Sequence, residues 1–404
     1  MGRTTAIIIA AAAAVVILAG VLLFMLGRGT EKDVNQMDDE LSEMKLPASD
    51  GTGPAPSVAA AAPATGNSLV VVSWGGAYTK SQIEAYHKPF EAKTGVKINS
   101  VDYNGGIAEI KVQVEAKNVT WDVVDMELAD AQLACDEGLL EKIDAGTLPA
   151  APDGTPALQD FVPNGITPCA VTTILFSHIV AFDTTKFETK KPSKLADFFN
   201  VKDFPGKRGM RKKSPKINLE LALRADGVAG DKVYETLSTK AGVDRAFKKL
   251  DTIKDSVVWW EAGAQPPQLL ADGEVTMTTG YNGRIFDAQI VEGKPFEIIW
   301  DGQLQELDVL GIVKGSSKLE AALQFIAFAT DTQRLADQAK WIAYGPARKS
   351  SLPLVGKHFA KDIDMKPYMP NAPQNSTNAI QIDFLWWADH QEELNQRWAA
   401  WLAK

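Results

Sequence analysis

The fold class of this chain can be read from SLVVVSWGGAYTKSQIEAYHKPFEAKTGVKINSVDYNGGIAEIKVQVEAKNVTWDVVDM, residues 68–126. Three runs rich in β-branched or apolar residues predict strands: 68–73, 96–103 and 121–126. Two amphipathic stretches between them predict helices: 79–94, which ends at Gly95, and 107–116. Alternation of strand and helix implies parallel pairing with right-handed crossovers, so the sequence predicts an α/β protein.

The three predicted strands end in residues suited to contacting a small molecule. These ends carry Trp74-Gly75-Gly76, Tyr103-Asn104-Gly105-Gly106 and Glu127. Ligands of parallel sheets bind outside the carboxyl ends of the strands, and Trp and Tyr offer flat apolar walls with one polar group. Glycine lets the backbone approach a ligand closely. We therefore expect a binding site along this edge.

The same periodicities continue through the rest of the chain, without an internal repeat. A long strand at 172–182 is predicted to carry the chain into a second lobe. Further strands are predicted at 256–260 and 274–281. Helical stretches follow the pattern elsewhere: 192–204, 219–249, 267–271, the segment after Tyr281, 318–329, 331–341 and 383–402.

The first 67 residues differ in composition from the remainder. Residues 6–27 are apolar or glycine without a charge, which is long enough for a helix to cross a bilayer. We expect residues 1–28 to be an uncleaved membrane anchor, with a cleaved signal peptide as the alternative. The stretch 29–67 is acidic and then rich in Pro and Ala, which predicts a flexible linker; a short helix at 34–44 is the alternative.

Composition excludes some classes of protein. The 404 residues include 42 Lys and Arg against 51 Asp and Glu, a formal net charge of −9. A mildly acidic chain argues against nucleic acid as a partner and is compatible with a cationic ligand. The residues after the linker are too many for one simple core and suit two lobes.

Cysteine and histidine usage bears on disulfide and metal chemistry. The two cysteines, Cys135 and Cys169, lie in the part predicted to be exported, so we expect a disulfide; two separate apolar thiols are the alternative. The four histidines are scattered at no ligand spacing, which predicts no metal site. No phosphate-binding loop, G-x-S-x-G elbow or HExxH motif occurs, so no catalytic residues and no cofactor are predicted.

Several stretches of the chain resemble one family. They are VVVSWGGAY (70–78), FEAKTGVKIN (90–99), WDVVDMELADAQLACDEGLLEKID (121–144), LADGEVTMTTGYNG (270–283) and AYGPARKS (343–350). Together they resemble the periplasmic polyamine-binding proteins of bacterial ABC transporters, within the type 1 extracellular solute-binding proteins. The resemblance covers most of the chain after the linker.

This resemblance implies a two-lobed α/β fold of the periplasmic-binding-protein (Venus-flytrap, type II) class, with crossing hinge strands and a ligand in the cleft. By position, the first lobe would comprise 68–170 and 281–314, and the second 171–280 and 315–404. The family's cleft holds ligands with aromatic walls and carboxylates, which suits ammonium groups. Carried over to this chain, the predicted ligand-binding residues are Trp74, Tyr78, Glu127, Trp260, Glu261, Tyr281, Asn282, Glu306, Asp308 and Tyr344.

The chain also departs from the polyamine binders. The segment MRKKSPKINLE (210–220) carries Lys212, Lys213 and Lys216 where those proteins have acids, and Gln305-Glu306 replaces an expected aromatic residue. A shorter amine, an amino-acid-like zwitterion or another small solute fits these changes as well as spermidine. Arg284 and Arg348 are candidate partners for a ligand carboxylate.

The predicted function is therefore that of the substrate-binding component of an ABC importer. It would bind a polyamine-like cation and deliver it to the permease in the inner membrane, as a monomer tethered in the periplasm. The alternatives are a receptor for another small organic solute, or a ligand sensor for a membrane signalling partner. An enzyme on the same scaffold is disfavoured because no catalytic residue set is present.

Overall fold

The computed structural model describes residues 67–404. The predicted anchor, 1–28, and all but the last residue of the predicted linker, 29–67, lie outside this range. No helix within 67–404 combines the length and the apolar character that crossing a membrane requires.

One sheet organises the described residues. Its strands are β1 (Ser68–Ser73), β2 (Lys97–Asp102), β3 (Val123–Glu127), β4 (Ala170–Asp183), β5 (Arg208–Arg211), β6 (Val257–Trp260), β7 (Met277–Tyr281), β8 (Phe296–Ile312), β9 (Gly345–Pro346) and β10 (Ile380–Gln381). The strand order is β2-β1-β3-β8-β4-β7-β5-β6, with β9 on β4 and β10 on β8. The three strands predicted in 68–126 are confirmed, and β1 pairs in parallel with both β2 and β3.

Two long strands join the halves of this sheet. β4 and β8 pair antiparallel, from Ala170 opposite Gly311 to Asp183 opposite Phe296. β3 pairs with β8 on one side, and β7 pairs with β4 on the other. β4 is buried at every residue, since both faces of this central strand are covered. The sequence predicted β4, but it did not reveal β8 as one continuous strand.

The helices of the described residues flank this sheet. They are α1 (Gly76–Gln82), α2 (Lys88–Thr94), α3 (Ala108–Glu115), α4 (Leu128–Asp136), α5 (Ala157–Asp160), α6 (Leu195–Phe198), α7 (Asn218–Ala225), α8 (Val233–Leu237), α9 (Lys240–Asp251), α10 (Gln265–Ala271), α11 (Asn282–Phe286), α12 (Leu319–Ala329), α13 (Thr332–Gln338) and α14 (Phe384–Leu402). Single π-helical turns extend α1 and α11. The helical stretch predicted over 219–249, with Gly227 and Gly230 as interruptions, is three helices: both glycines lie between α7 and α8, and Ser238 and Thr239 separate α8 from α9.

Separate hydrophobic clusters fill the two halves, as expected for two lobes. Leu69 and Val71 of β1 belong to one cluster, and Met210 of β5 belongs to another. The second cluster also includes Trp387 and Trp398 of α14. These two halves are called the first lobe, around β2-β1-β3, and the second lobe, around β7-β5-β6.

The packing of the segment 315–404 differs from the predicted lobe boundaries. Phe325 of α12 and Leu335 of α13 pack into the cluster of β1, whereas α14 packs into the second-lobe cluster. The apolar faces of α12 and α13 therefore cover the first-lobe sheet, and this segment does not stay together in the second lobe as predicted.

The predicted disulfide is confirmed. Cys135 in α4 and Cys169, directly before β4, are bonded with their Cα atoms 5.8 Å apart. The bond joins a helix of the first lobe to the start of a crossing strand.

Candidate functional site

A pocket lies where the carboxyl ends of the two parallel half-sheets face each other. The space among its lining atoms is about 440 Å³, a figure that includes volume open to solvent. Seven predicted binding residues line it: Trp74, Tyr78, Glu127, Glu261, Tyr281, Asp308 and Tyr344. Five further residues complete the lining: Asn104, Phe176, Arg211, Gly263 and Arg284.

Asp125, in the middle of β3, holds two of the aromatic walls. Its carboxylate accepts hydrogen bonds from the Trp74 indole nitrogen at 3.0 Å, the Tyr78 hydroxyl at 2.9 Å and the Gln82 amide at 2.5 Å. Burial raises the pKa of Asp125 to about 7, although these three donors favour its ionised form. Asp125 does not line the pocket, but it fixes the side chains that do.

Four aromatic side chains that line the pocket are in contact with one another. The ring of Phe176 lies 5.8 Å from that of Tyr281 and 6.1 Å from that of Tyr344, and Tyr344 makes an edge contact with Tyr78 at 5.6 Å. Such rings can hold methylene groups by apolar contact and an ammonium group through cation–π attraction. The walls therefore suit a short aliphatic chain with a charged end.

Arg284 supplies a positive charge without an acidic partner. It is 6% exposed, lies in α11 and donates from Nη2 to the Trp74 carbonyl at 2.9 Å. It forms no salt bridge with any residue in the described range 67–404. A buried guanidinium of this kind is a preferred partner of a carboxylate.

Gly263 makes room for this arginine. A Cβ atom at position 263 would lie 2.9 Å from Cε2 of Tyr281 and 3.2 Å from Nε of Arg284. Any side chain there would push against both lining residues.

Asp308 supplies a carboxylate without a cationic partner. Its Oδ1 atom is buried and accepts no hydrogen bond from the described residues. Burial, together with the charges of Asp125, Glu127 and Glu306, raises the pKa of Asp308 well above its usual value. A ligand ammonium would relieve both the missing hydrogen bond and the charge repulsion.

Glu127, in contrast, is already neutralised by the protein. Its Oε1 atom accepts from Arg211 at 2.8 Å, and its Oε2 atom lies 2.6 Å from the Lys216 ammonium. Burial alone would raise the pKa of Glu127, but the charges of Arg211 and Lys216 outweigh burial and lower it. Glu127 therefore lines the pocket as part of an ion pair.

Three predicted binding residues stand behind the pocket and do not line it: Trp260, Asn282 and Glu306. The buried ring of Trp260 packs edge-on against Tyr281 at 5.9 Å. Both polar groups of the Asn282 side chain bond to backbone, accepting from the Ser177 amide and donating to the Ala343 carbonyl. These two contacts join β4 to the segment before β9, which is a structural role. Glu306 binds Lys216 and His178.

The two arginines proposed as carboxylate partners have different roles. Arg284 lines the pocket, whereas Arg348 is fully buried elsewhere, where it donates to the Thr330 carbonyl at 2.6 Å and pairs with Asp160 at 3.1 Å. Among the lining acids, Glu261 is about half exposed and pairs with Lys212 at 3.0 Å.

The lining residues missed from the sequence carried only weak signals. Asn104 lies two residues after β2, within the strand end Tyr103-Asn104-Gly105-Gly106. Phe176 lies within β4, where alternation does not distinguish a core residue from a pocket residue. Arg211 ends β5 within a basic run whose pairing depends on the distant Glu127.

One group of side chains has the composition of a metal site. Glu127, His178 and Glu306 offer ligand atoms that all lie within 4.8 Å of one another. The Lys216 ammonium contacts both carboxylates, at 2.6 and 2.5 Å, and thereby already supplies a positive charge there. Burial lowers the pKa of His178, so its ring is neutral beside Glu306.

Comparisons with known proteins show which family this chain is similar to. The family model of the bacterial extracellular solute-binding proteins matches residues 85–370. A gamma-aminobutyric acid-binding protein of Pseudomonas aeruginosa is 44% identical over 346 residues, which cover 86% of this chain and 94% of the relative.

Two solved structures extend the likeness to the fold. The Atu4243-GABA receptor is 35% identical with a TM-score of 0.71, over 84% of this chain and 98% of that one. An ABC transporter substrate-binding protein from Bradyrhizobium japonicum is 33% identical with a TM-score of 0.72, over 83% of this chain and all of that one. By their names, these relatives are binding proteins or a receptor. The described chain thus has the two-lobed α/β periplasmic-binding-protein fold, and it belongs to the bacterial extracellular solute-binding proteins.

Proposed function

We propose that this protein binds a small zwitterion with one ammonium and one carboxylate group, of the class of 4-aminobutanoate, and delivers it to an ABC importer. The observation that carries this proposal is the presence of Arg284 and Asp308 in one pocket. Each is buried, and neither has a partner of opposite charge among the described residues. A zwitterion would satisfy both, whereas an amine alone would leave Arg284 without an anion.

The relatives support the same ligand class. Two proteins with at least 35% identity over most of this chain carry gamma-aminobutyric acid in their names. The aromatic walls provide a dry surface for the methylene groups between the two charged ends.

A polyamine-like cation fits the pocket less well. Glu127 and Glu306 are both paired with Lys216, so neither acid is free to hold an external ammonium. Arg284 and Arg211 add positive charge to the lining. The acids that remain, Asp308 and the exposed Glu261, can hold one ammonium inside the pocket.

Isothermal titration calorimetry with four matched probes tests the proposal. 4-Aminobutanoate has both charges, 1-aminobutane only the ammonium, butanoate only the carboxylate, and 1,4-diaminobutane two ammonium groups. We expect one-to-one binding of 4-aminobutanoate, at least about 100-fold tighter than that of the other three, because each loses a charge-assisted contact. Tighter binding of 1,4-diaminobutane would refute the zwitterion in favour of a diamine.

The family implies a periplasmic location, and we also propose that residues 1–28 tether the protein to the inner membrane. The support is the uncharged run 6–27. Cell fractionation followed by mass determination of the mature chain distinguishes a tether from a cleaved signal peptide. A product that lacks the first residues would exclude the tether.

A further inference from the structure

Two carboxylates stand on one face of the crossing strand β8 beneath the aromatic walls. Glu306 and Asp308 are two residues apart, so their side chains leave the strand on the same side about 7 Å apart. Asp308 lines the pocket, and Glu127 is its direct neighbour on β3. The three acids form a patch that would bind more than one external cation if it were free.

The protein fills part of this patch with its own ammonium group. Nζ of Lys216 lies 2.6 Å from Glu127 and 2.5 Å from Glu306, and the three side chains are 5% exposed or less. Arg211 pairs with the other oxygen of Glu127, and the neutral His178 contacts the other oxygen of Glu306. Two positive groups therefore balance these two acids, and Asp308 has no cationic partner among residues 67–404.

The backbone next to Lys216 is held in an unfavourable conformation. Ile217, a β-branched residue, has φ of 80°, in the region that favours glycine. The Glu220 carboxylate accepts from the Ile217 amide at 2.8 Å, and the Asn218 amide donates to the carbonyls of Arg211 and Ser214. These hydrogen bonds hold the turn in this conformation and thereby fix the position of Lys216.

We infer that Lys216 is a specificity-determining residue: its ammonium occupies the subsite in which a second ammonium of a diamine would bind. An extended 1,4-diaminobutane spans about 6 Å between its nitrogens, from bond lengths of about 1.5 Å, which is close to the spacing of Asp308 and Glu306. With one nitrogen at Asp308, the other meets Lys216 and is repelled. This inference deepens the proposed function, because it explains why one ammonium, and not two, is accepted.

Replacement of Lys216 tests the inference. The variant Lys216→Ala leaves Glu127 and Glu306 without their shared cation and leaves room for another. We expect the affinity for 1,4-diaminobutane to rise at least about 10-fold over the native protein, since the diamine now satisfies a buried acid. The affinity for 1-aminobutane, which has no second ammonium, should not rise. The exposed Lys232→Ala is the matched control and should change neither value.

A second variant distinguishes the effect of the freed carboxylate of Glu306 from the effect of the space that Lys216 leaves. The double variant Lys216→Ala with Glu306→Gln keeps the added space but removes the acid, so the gain in diamine affinity should disappear. If Lys216→Ala does not fold alone, refolding with 1,4-diaminobutane or with 1-aminobutane gives the same comparison. The inference predicts rescue by the diamine only.

Two outcomes would overturn the inference: a folded Lys216→Ala protein with unchanged diamine affinity, or equal rescue by both amines. The proposed function fails separately, when the native protein does not bind 4-aminobutanoate. The ratio of diamine to monoamine affinity between native and variant proteins can be measured in either case.

Discussion

The Trp74 carbonyl accepts a hydrogen bond of 2.9 Å from Arg284, which lies 210 residues later in the chain. This bond holds a positive charge of α11 against the segment that follows β1. If the guanidinium receives the ligand carboxylate, Arg284→Gln should weaken 4-aminobutanoate binding at least about 30-fold, as expected for loss of roughly 2–5 kcal/mol from a buried charged contact. Calorimetric titration measures the change.

The control for this variant is Arg245→Gln, since Arg245 pairs with Asp226 on the exposed surface. It should bind within about twofold of the native protein. An unchanged dissociation constant for a folded Arg284→Gln protein would exclude Arg284 as the carboxylate partner.

Ligand binding should release a proton from Asp308. The pKa of this acid is raised in the free protein, chiefly by burial, and an adjacent ligand ammonium would lower it by favouring the charged form. Affinity should therefore increase as pH rises from acid toward neutral. Titrations at about pH 6 in buffers of different ionisation enthalpy measure the protons exchanged. Asp308→Asn should abolish the release, and proton uptake by the native protein would contradict the assignment.

The titration of Asp125 and Glu220 should lower the free energy of unfolding of the ligand-free protein as pH rises between about 4 and 7. Burial raises the pKa values of Asp125 and Glu220 to about 7, whereas the unfolded chain has values near 4. At these two acids the folded state binds more protons than the unfolded state across this interval, so their titration favours unfolding as pH rises. Burial lowers the pKa values of His87 and His178, and these two groups act in the opposite direction. Each group can contribute on the order of a few kcal/mol. Urea unfolding at several pH values gives the free energy of unfolding.

A variant measures how much of this pH dependence comes from Glu220. Glu220→Gln keeps an oxygen that can accept from the Trp387 indole but cannot ionise. The difference in free energy of unfolding between this variant and the native protein should therefore increase in favour of the variant as pH rises from about 4 to 7. An identical slope would place the titration elsewhere.

Adding one methyl group at Gly263 should disturb the pocket. The new Cβ atom would lie 2.9 Å from the Tyr281 ring and 3.2 Å from Arg284, closer than van der Waals contact. We expect Gly263→Ala to weaken ligand binding about 10-fold while leaving the fold intact, because the crowded atoms belong to lining side chains. Gly356→Ala is the matched control, since a Cβ atom there meets nothing within 4 Å. Equal affinity for both variants would show that the pocket can adapt.

Removing the disulfide should lower stability without altering the ligand class. The bond closes a loop with a sequence separation of 34 residues. Loop-closure entropy for that length gives a loss of about 4 kcal/mol for Cys135→Ser with Cys169→Ser. Chemical unfolding measures it, and the dissociation constant for 4-aminobutanoate should change little. A loss below about 1 kcal/mol would show that strand and helix packing already hold the two segments.

Local patterns were sufficient for the strands and helices of 68–126, because periodicity and a terminal glycine are properties of neighbouring residues. Carboxyl-end positions likewise predicted Trp74 and Glu127 as lining residues, since parallel strands present their ends at one edge. Tyr281 was predicted from the resemblance to the polyamine binders. Periodicity did not reveal β8 as one strand. Its residues are buried over most of their length, so the usual alternation of polar and apolar residues is absent.

The tertiary structure determines which of the acids are paired with a cation. Glu127 pairs with Arg211 across 84 residues of sequence, and Glu306 pairs with Lys216 across 90. Asp308 has no such partner in the described part of the chain, although the linear sequence presents it near Glu306 as an equal candidate. The length of the chain and its resemblance to the polyamine binders therefore predicted a two-lobed binding protein with an acidic and aromatic cleft. Only folding, which brings distant charges within hydrogen-bond distance, determined which acid is left without a cation among residues 67–404, and the proposed ligand class rests on that acid.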